Sequence, residues 1–108
     1  MTTSITRDQL RTAIGDRTVT VVDALPAGPF QRRHLPGALN LVIDDADTDA
    51  ALLLPDRGAT VVTYSTDSAC GRGEALADRL DTLGYTDVRV YRDGIEDWVS
   101  AGLPVETG

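Results

Sequence analysis

Two rhythms alternate along this chain: short runs that are apolar at nearly every position, and longer stretches that are apolar at every third or fourth. Residues 18–23 (Thr-Val-Thr-Val-Val-Asp), 60–64 (Thr-Val-Val-Thr-Tyr) and 88–91 (Val-Arg-Val-Tyr) are rich in β-branched side chains. The first two are almost continuously apolar, which predicts strands covered on both faces. The helical rhythm begins at Thr6, where Gln9 completes a capping box and Ile5 with Leu10 forms a hydrophobic staple. Leu10, Ala13 and Ile14 then share a face, and Gly15 is the expected stop. Segment 26–37 is broken by proline and glycine, with room for one helical turn around Phe30 and Gln31, and 38–42 reads as a short strand. A short helix is expected over 47–54, ended by Pro55. Leu76, Leu80 and Leu83 line one face of a helix over 71–83, with Gly84 as its left-handed cap. Asp93 and Glu96 are placed to cap a last helix that turns Ile95, Trp98 and Val99 inward.

Strands alternating with helices predict an α/β fold with a parallel sheet covered on both sides. A chain of 108 residues fits one domain over 1–108, long enough to bury about two-thirds of its unfolded surface. In such folds ligands sit at the carboxyl ends of strands, where a helix begins. Residues 65–70, between a central strand and the best helix, are therefore the place to look for chemistry.

Composition narrows the function. Apolar residues make up 42% and charged residues 25%, and the net charge is −7. A nucleic-acid partner is not expected, because a binder needs a basic footprint to displace counterions. The longest clean apolar run, 50–54, is far short of the ~20 residues that span a bilayer. The first residues show no charged region followed by an apolar stretch, so no signal peptide is expected. A single cysteine, Cys70, cannot form an internal disulfide and suits a reducing cytoplasm. One Cys and one His cannot complete a structural zinc site, so neither metal nor cofactor is expected. All ten basic residues are arginine, leaving planar forks for oxyanions and no lysine for Schiff-base chemistry. A monomer is the simplest state.

Four constellations offer chemistry. Ser65 with His34 and Asp23 or Asp67 has the members of a hydrolase triad, but Tyr-Ser-Thr-Asp lacks the glycines of a nucleophile elbow. Asp45, Asp47, Asp49 and Asp56 have partial calcium-loop spacing, but Ala50 and Pro55 spoil it, and acids opening a helix suffice as an explanation. Gly71-Arg72-Gly73-Glu74 opens a helix without the third glycine of a dinucleotide fingerprint, and Glu74 repels a pyrophosphate. Cys70 lies where a helix begins. Backbone N–H groups there lower a thiol's pKa, although a packed cysteine is also a common small hydrophobe.

From about Thr6 to Glu106 the chain resembles a single-domain rhodanese, the sulfurtransferase homology domain. The resemblance rests on several stretches taken together. They are Val21-Val22-Asp23, then His34-Leu35-Pro36-Gly37-Ala38-Leu39-Asn40 in place of the family's His-Ile-Pro-Gly-Ala, and Val61-Val62-Thr63-Tyr64 leading into a six-residue loop. Leu83-Gly84-Tyr85, Tyr91-Arg92-Asp93-Gly94-Ile95, Trp98 and Ala101-Gly102-Leu103-Pro104-Val105 complete it. It implies a three-layer α/β/α domain with a central, mainly parallel sheet. It further implies a loop cysteine that takes sulfane sulfur from thiosulfate or a persulfide and hands it to a thiophilic acceptor, which can be a protein. The binding loop then comprises Thr66, Asp67, Ser68, Ala69 and Gly71, with Arg33 and Arg72 as anion contacts.

The chain departs from that pattern at the decisive place. The family's cysteine follows the strand directly, and there this sequence has Ser65. A hydroxyl carries no persulfide and is barely ionised where a thiol of pKa about 8.5 is partly thiolate. Cys70 holds the sixth loop position, often Arg in the family. Leu25 replaces a basic residue, Arg33 a glycine, and Asp93 the first of two glycines. Three readings stay open. The domain belongs to a sulfurtransferase lineage and Ser65 is a deliberate, engineered replacement of its cysteine, leaving it inactive as written; or Ser65 is native to a non-catalytic binding or regulatory module; or Cys70 is the sulfur carrier.

Overall fold

A five-stranded parallel sheet in the order β1-β5-β4-β2-β3 organises the computed structural model, which describes residues 3–108. The strands are β1 (Thr3–Ser4), β2 (Thr20–Asp23), β3 (Leu39–Asn40), β4 (Thr60–Tyr64) and β5 (Asp87–Tyr91). The helices are α1 (Arg7–Asp16), α2 (Ala27–Arg32), α3 (Ala46–Leu53), α4 (Arg72–Thr82) and α5 (Gly94–Ser100). Side chains alternate across a strand, so each central strand feeds two cores. Val22, Val61, Val88 and Val90 meet Ala46, Ala50, Leu76 and Leu80 of α3 and α4 on one face. Val21, Val62, Tyr64 and Tyr91 meet Leu10, Ile95 and Trp98 of α1 and α5 on the other. This is the three-layer arrangement, and the nearly unbroken apolar runs of β2 and β4 are its cause.

The start of α1 has the anticipated chemistry. The Thr6 hydroxyl accepts the Gln9 N–H at 3.1 Å, the Gln9 side chain accepts the Thr6 N–H at 3.0 Å, and Ile5 and Leu10 are buried in one cluster. Its end corrects the expectation. The helix runs through Gly15 and turns at Arg17, the one non-glycine residue at positive φ among the described residues (+56°). Arg17 and Thr18 donate backwards to Ile14 and Ala13, a Schellman closure that normally uses glycine. The left-handed conformation costs an Arg about 1–2 kcal/mol. The interlocking carbonyl bonds, not the nearest glycine, set the stopping point.

Other boundaries shift modestly. The strand expected over 18–23 begins only at Thr20, that over 38–42 narrows to two residues, and residues 26–37 hold a full short helix, α2. Strand β1 had no periodicity to announce it, since two exposed residues pair with Arg89 and Val90 of β5. Trp98 is buried as expected; its indole N–H donates to the Pro104 carbonyl at 2.8 Å and its ring lies edge-on to Tyr91. No described helix is long and apolar enough to cross a membrane.

Candidate functional site

The carboxyl ends of β2 and β4 lie side by side, with Asp23 opposite Tyr64. The Tyr64 hydroxyl donates to Asp23 Oδ2 at 2.7 Å and accepts the Leu35 N–H at 3.0 Å. Asp23 Oδ1 accepts the Leu25 N–H at 2.8 Å. Burial pushes the Asp23 carboxyl above its ordinary range, opposed by the bonds from Tyr64 and Leu25 and by the nearby His34. Burial and the Asp23 charge likewise hold Tyr64 protonated. This fully enclosed network fixes the last residue of β4, and so fixes where the loop 65–70 begins.

Two helices clamp that loop. The carbonyls of Ser65 and Thr66 accept the N–H groups of Ile95 and Glu96 at the start of α5, each at 3.0 Å. Gly94 makes this approach possible. It sits at φ +70°, and a Cβ there would lie 2.5 Å from the Thr66 carbonyl group. On the other side, a Cβ on the buried Gly73 of α4 would meet the Tyr64 backbone at 3.0 Å. The Thr63 hydroxyl binds the Gly73 carbonyl at 2.7 Å and holds α4 against the strand. The expected side-chain cap of α5 by Asp93 is absent. The loop carbonyls satisfy the helix start, and the Glu96 carboxylate pairs with Arg33.

Within the loop, Ser65 is buried and its hydroxyl donates to the Cys70 carbonyl at 3.2 Å. Asp67 Oδ1 accepts the N–H groups of Ala69 at 3.0 Å and Cys70 at 3.2 Å, so its carboxylate already engages two amides of the expected anion cradle. Ser68 and Ala69 are exposed. Cys70 is partly exposed, and its thiol experiences opposing influences. Burial raises its pKa; the Ser65 hydroxyl, the backbone N–H groups of Arg72 and Thr66, and the Arg72 charge lower it, and the lowering prevails. A serine hydroxyl has one proton and two acceptors in reach here, the carbonyl and the sulfur of Cys70. The Ser65 proton goes to the Cys70 carbonyl and the Ala69 and Cys70 amides to Asp67, while the surroundings of the Cys70 thiol hold its pKa below the ordinary value. Such a sulfur can be held as a thiolate and used as a nucleophile.

Two cavities flank the loop. One of about 80 Å³ touches Ser65, Ser68, Cys70, Glu74, Tyr91 and Arg92. Another of about 400 Å³ lies between α2 and α5 and includes Leu25, Pro29, Arg33, Thr66, Ile95 and Glu96. Arg33, expected as an anion contact, is ion-paired with Glu96 at this second mouth. Arg72 acts on Cys70 through its own N–H and its charge, while Gly71 is exposed at the start of α4.

The hydrolase set does not assemble. His34 Nδ1 lies 2.9 Å from the Phe30 carbonyl, its ring stacks on Phe30, and its backbone bridges to Glu106, while Asp67 serves its own loop. Asp47 of the acidic run instead takes the Arg79 guanidinium at 2.6 Å, which lowers its pKa. Among the described residues no group of three or more His, Cys, Asp or Glu converges as a metal site. Sequence reasoning missed the Arg33–Glu96 pair and the self-capping Asp67. An Asp two and three residues before unpaired amides was the available signal for the latter.

Comparison with known proteins places this geometry. The family profile described as the rhodanese-like domain matches residues 6–101. The HTH-type transcriptional regulator Rv0324 of Mycobacterium tuberculosis is 33% identical over 105 residues, covering 97% of this chain but 45% of that protein. The chain therefore spans about half the length of that relative. The BH2092 protein of Bacillus halodurans superposes with a TM-score of 0.90 at 23% identity, covering 98% of this chain and 77% of that one. A thiosulfate sulfurtransferase of Pseudomonas aeruginosa gives 0.80 at 21% identity, covering 99% of this chain and 20% of that one. At those identities the structural likeness is one of fold.

Proposed function

The chain belongs to the rhodanese-like domain family, and from that premise we propose that it handles sulfane sulfur through Cys70, with Ser65 steadying the thiolate. What supports this reading is a partly exposed Cys70 thiol at the end of the loop, beside Ser65 and the start of α4, whose pKa is lowered by the Ser65 hydroxyl, the Arg72 and Thr66 N–H groups and the Arg72 charge. Residue 65 itself cannot carry the sulfur, because its oxygen forms no persulfide. In the proposed reaction the Cys70 thiolate attacks the outer sulfur of thiosulfate or of a persulfide. The donor's S–S bond breaks, its inner sulfur leaves with the electron pair as sulfite or a thiolate, and Cys70 becomes a persulfide. An acceptor nucleophile then takes the outer sulfur and releases the Cys70 thiolate. The small sulfur donor and a thiophilic acceptor, which can be a protein, are the partners of this scheme. A reducing, cytoplasmic setting keeps the thiol available.

A second reading is a binding module without turnover. It is favoured by Asp67, whose carboxylate occupies two loop amides, and by the neutralised Arg33. Intact-mass analysis after exposure to thiosulfate or a low-molecular-weight persulfide separates the two. The proposed function predicts a gain of about 32 Da, one sulfur, on the peptide containing Cys70, lost in Cys70→Ala. No gain in the folded parent protein would favour the binding module. A gain only in Ser65→Cys, on residue 65, would identify a sulfurtransferase site that lacks its nucleophile.

A further inference from the structure

At the amino ends of β2 and β3, away from the loop 65–70, a cavity of about 450 Å³ opens between the end of α1, the start of β2 and the turn that leads into β3. Its wall is aliphatic: Val21 is buried, and Ile14, Val19, Pro36 and Leu39 are half-buried. That wall is held in place on both sides. Arg17 and Thr18 close α1 by donating back to Ile14 and Ala13. Across the cavity, the Ala38 N–H donates to the Leu35 carbonyl at 3.0 Å and the Gly37 N–H to the Glu106 carboxylate at 2.8 Å. The cavity is therefore preformed, and its volume lies in the small-molecule range.

Arg17 is the one charged residue that lines it. Arg7, Arg33, Arg79, Arg89 and Arg92 are each ion-paired, whereas no carboxylate among the described residues pairs with the exposed Arg17. Its backbone stands at φ +56°, a conformation that glycine adopts without cost. The dipole of α1 favours a cation at this end by less than that conformation costs. The helix end thus gives no reason for an arginine at 17, and the aliphatic cavity beside it does.

We propose that this cavity binds a small organic acid, a monocarboxylate with a short aliphatic body, and that Arg17 is its counter-ion. The body covers the wall formed by Ile14, Val19, Val21, Pro36 and Leu39, and its removal from water stabilises the complex. The planar guanidinium takes the two carboxylate oxygens as a fork. An inorganic anion gains only the second interaction and a neutral hydrocarbon only the first. The site does not include Cys70 and does not depend on the sulfur chemistry proposed above, so the two stand or fall separately.

Hexanoate, titrated against the whole chain while backbone amide shifts are followed, tests this. Saturable shifts are expected at Ile14, Val19, Val21 and Leu39, with the amides of 65–70 unmoved. Across acetate, butanoate and hexanoate, affinity should rise by up to about fourfold per methylene. Hexanamide, which has the body without the charge, should bind about fivefold more weakly than hexanoate, the scale of an exposed ion pair. Arg17→Gln and Arg17→Gly should both weaken hexanoate by the same factor. Only Arg17→Gly relieves the left-handed backbone, so it alone should also raise Tm, by about 4 °C. The proposal is overturned if hexanoate shifts none of these amides, if affinity does not change with chain length, or if hexanamide binds as well as hexanoate. Sulfate that binds as tightly as hexanoate leaves only a general attraction to an arginine and overturns it too. Undiminished binding in both Arg17 variants overturns the assignment of the counter-ion. So does an Arg17→Gly protein no more stable than the parent, since the left-handed backbone then costs the arginine nothing.

Discussion

The helices α4 and α5 both begin against the loop 65–70, and both depend on a glycine to come that close. They use their exposed N–H groups differently. The first amides of α5 bind the carbonyls of Ser65 and Thr66, so they serve the loop's backbone. At the head of α4, the Arg72 amide and the Arg72 charge lower the pKa of the Cys70 thiol. A helix N-terminus attracts whichever acceptor lies nearest. Where that acceptor is a carbonyl of the fold, the end is structural. Where it is a side chain that ionises, the end can support chemistry. The contrast separates scaffold from site more sharply than residue type does, since each junction uses glycine and each stands at the carboxyl end of the sheet.

The comparison can be broken first at its scaffold side. Gly94→Ala forces a Cβ to within 2.5 Å of backbone at φ +70°. The loss of stability, on the order of 3 kcal/mol or more, is measurable by urea unfolding. Next comes the buried network under the loop. Asp23→Ala leaves the Tyr64 hydroxyl without its acceptor and should cost about 1–3 kcal/mol. Its pH dependence has a definite sign. Because the folded-state pKa of Asp23 is raised, the folded state holds that proton more tightly. Asp23's contribution to stability therefore falls as pH rises from the ordinary carboxylate value to the raised one. Subtracting the Asp23→Asn unfolding profile from that of the parent isolates this slope, since the paired surface carboxylates are common to both. A profile difference that is flat, or that rises with pH, contradicts the account.

A smaller effect belongs to the α4 side. Gly73→Ala brings a Cβ to 3.0–3.2 Å from the Tyr64 and Ser65 backbone. A shift of α4 by a few tenths of an ångström should cost roughly 1–2 kcal/mol. It should also move the Arg72 N–H away from the sulfur, so that Cys70 alkylates more slowly at neutral pH. Asp67→Asn is the mildest change. It keeps the turn and removes the carboxylate charge from the loop amides, so stability should change by less than about 1 kcal/mol while sulfate shifts the Ala69 and Cys70 amides more than in the parent. Equal sulfate responses in the two proteins would show that Asp67 does not compete for the cradle.

Much of this architecture is legible in the residues, because burial on both faces forces a continuous apolar run at β2 and β4, and because the Thr6–Gln9 box is local chemistry. The six-residue loop could be placed from strand–helix alternation alone. Three things could not. The two-residue strand β1 is too short to carry a period. The α1 terminus is decided by a Schellman closure that Arg17 adopts against its propensity. The third is the choice of partners: Arg33 with Glu96, far apart in sequence, and the Ser65 hydroxyl with the Cys70 carbonyl inside one loop. Sequence shows that Ser65 stands where the family has cysteine; the folded loop shows where its hydroxyl points.

The claim that the loop's donors stabilise the Cys70 thiolate is tested most directly by the pH dependence of Cys70 alkylation. Iodoacetamide rates between pH 5 and 10, in the native protein and in urea, report the two midpoints. The unfolded chain should titrate near the ordinary thiol value of about 8.5. The native protein should titrate below it, and Ser65→Ala, which removes one donor, should titrate between the two. A native midpoint at or above that of the unfolded chain would contradict the account and leave Cys70 an ordinary thiol.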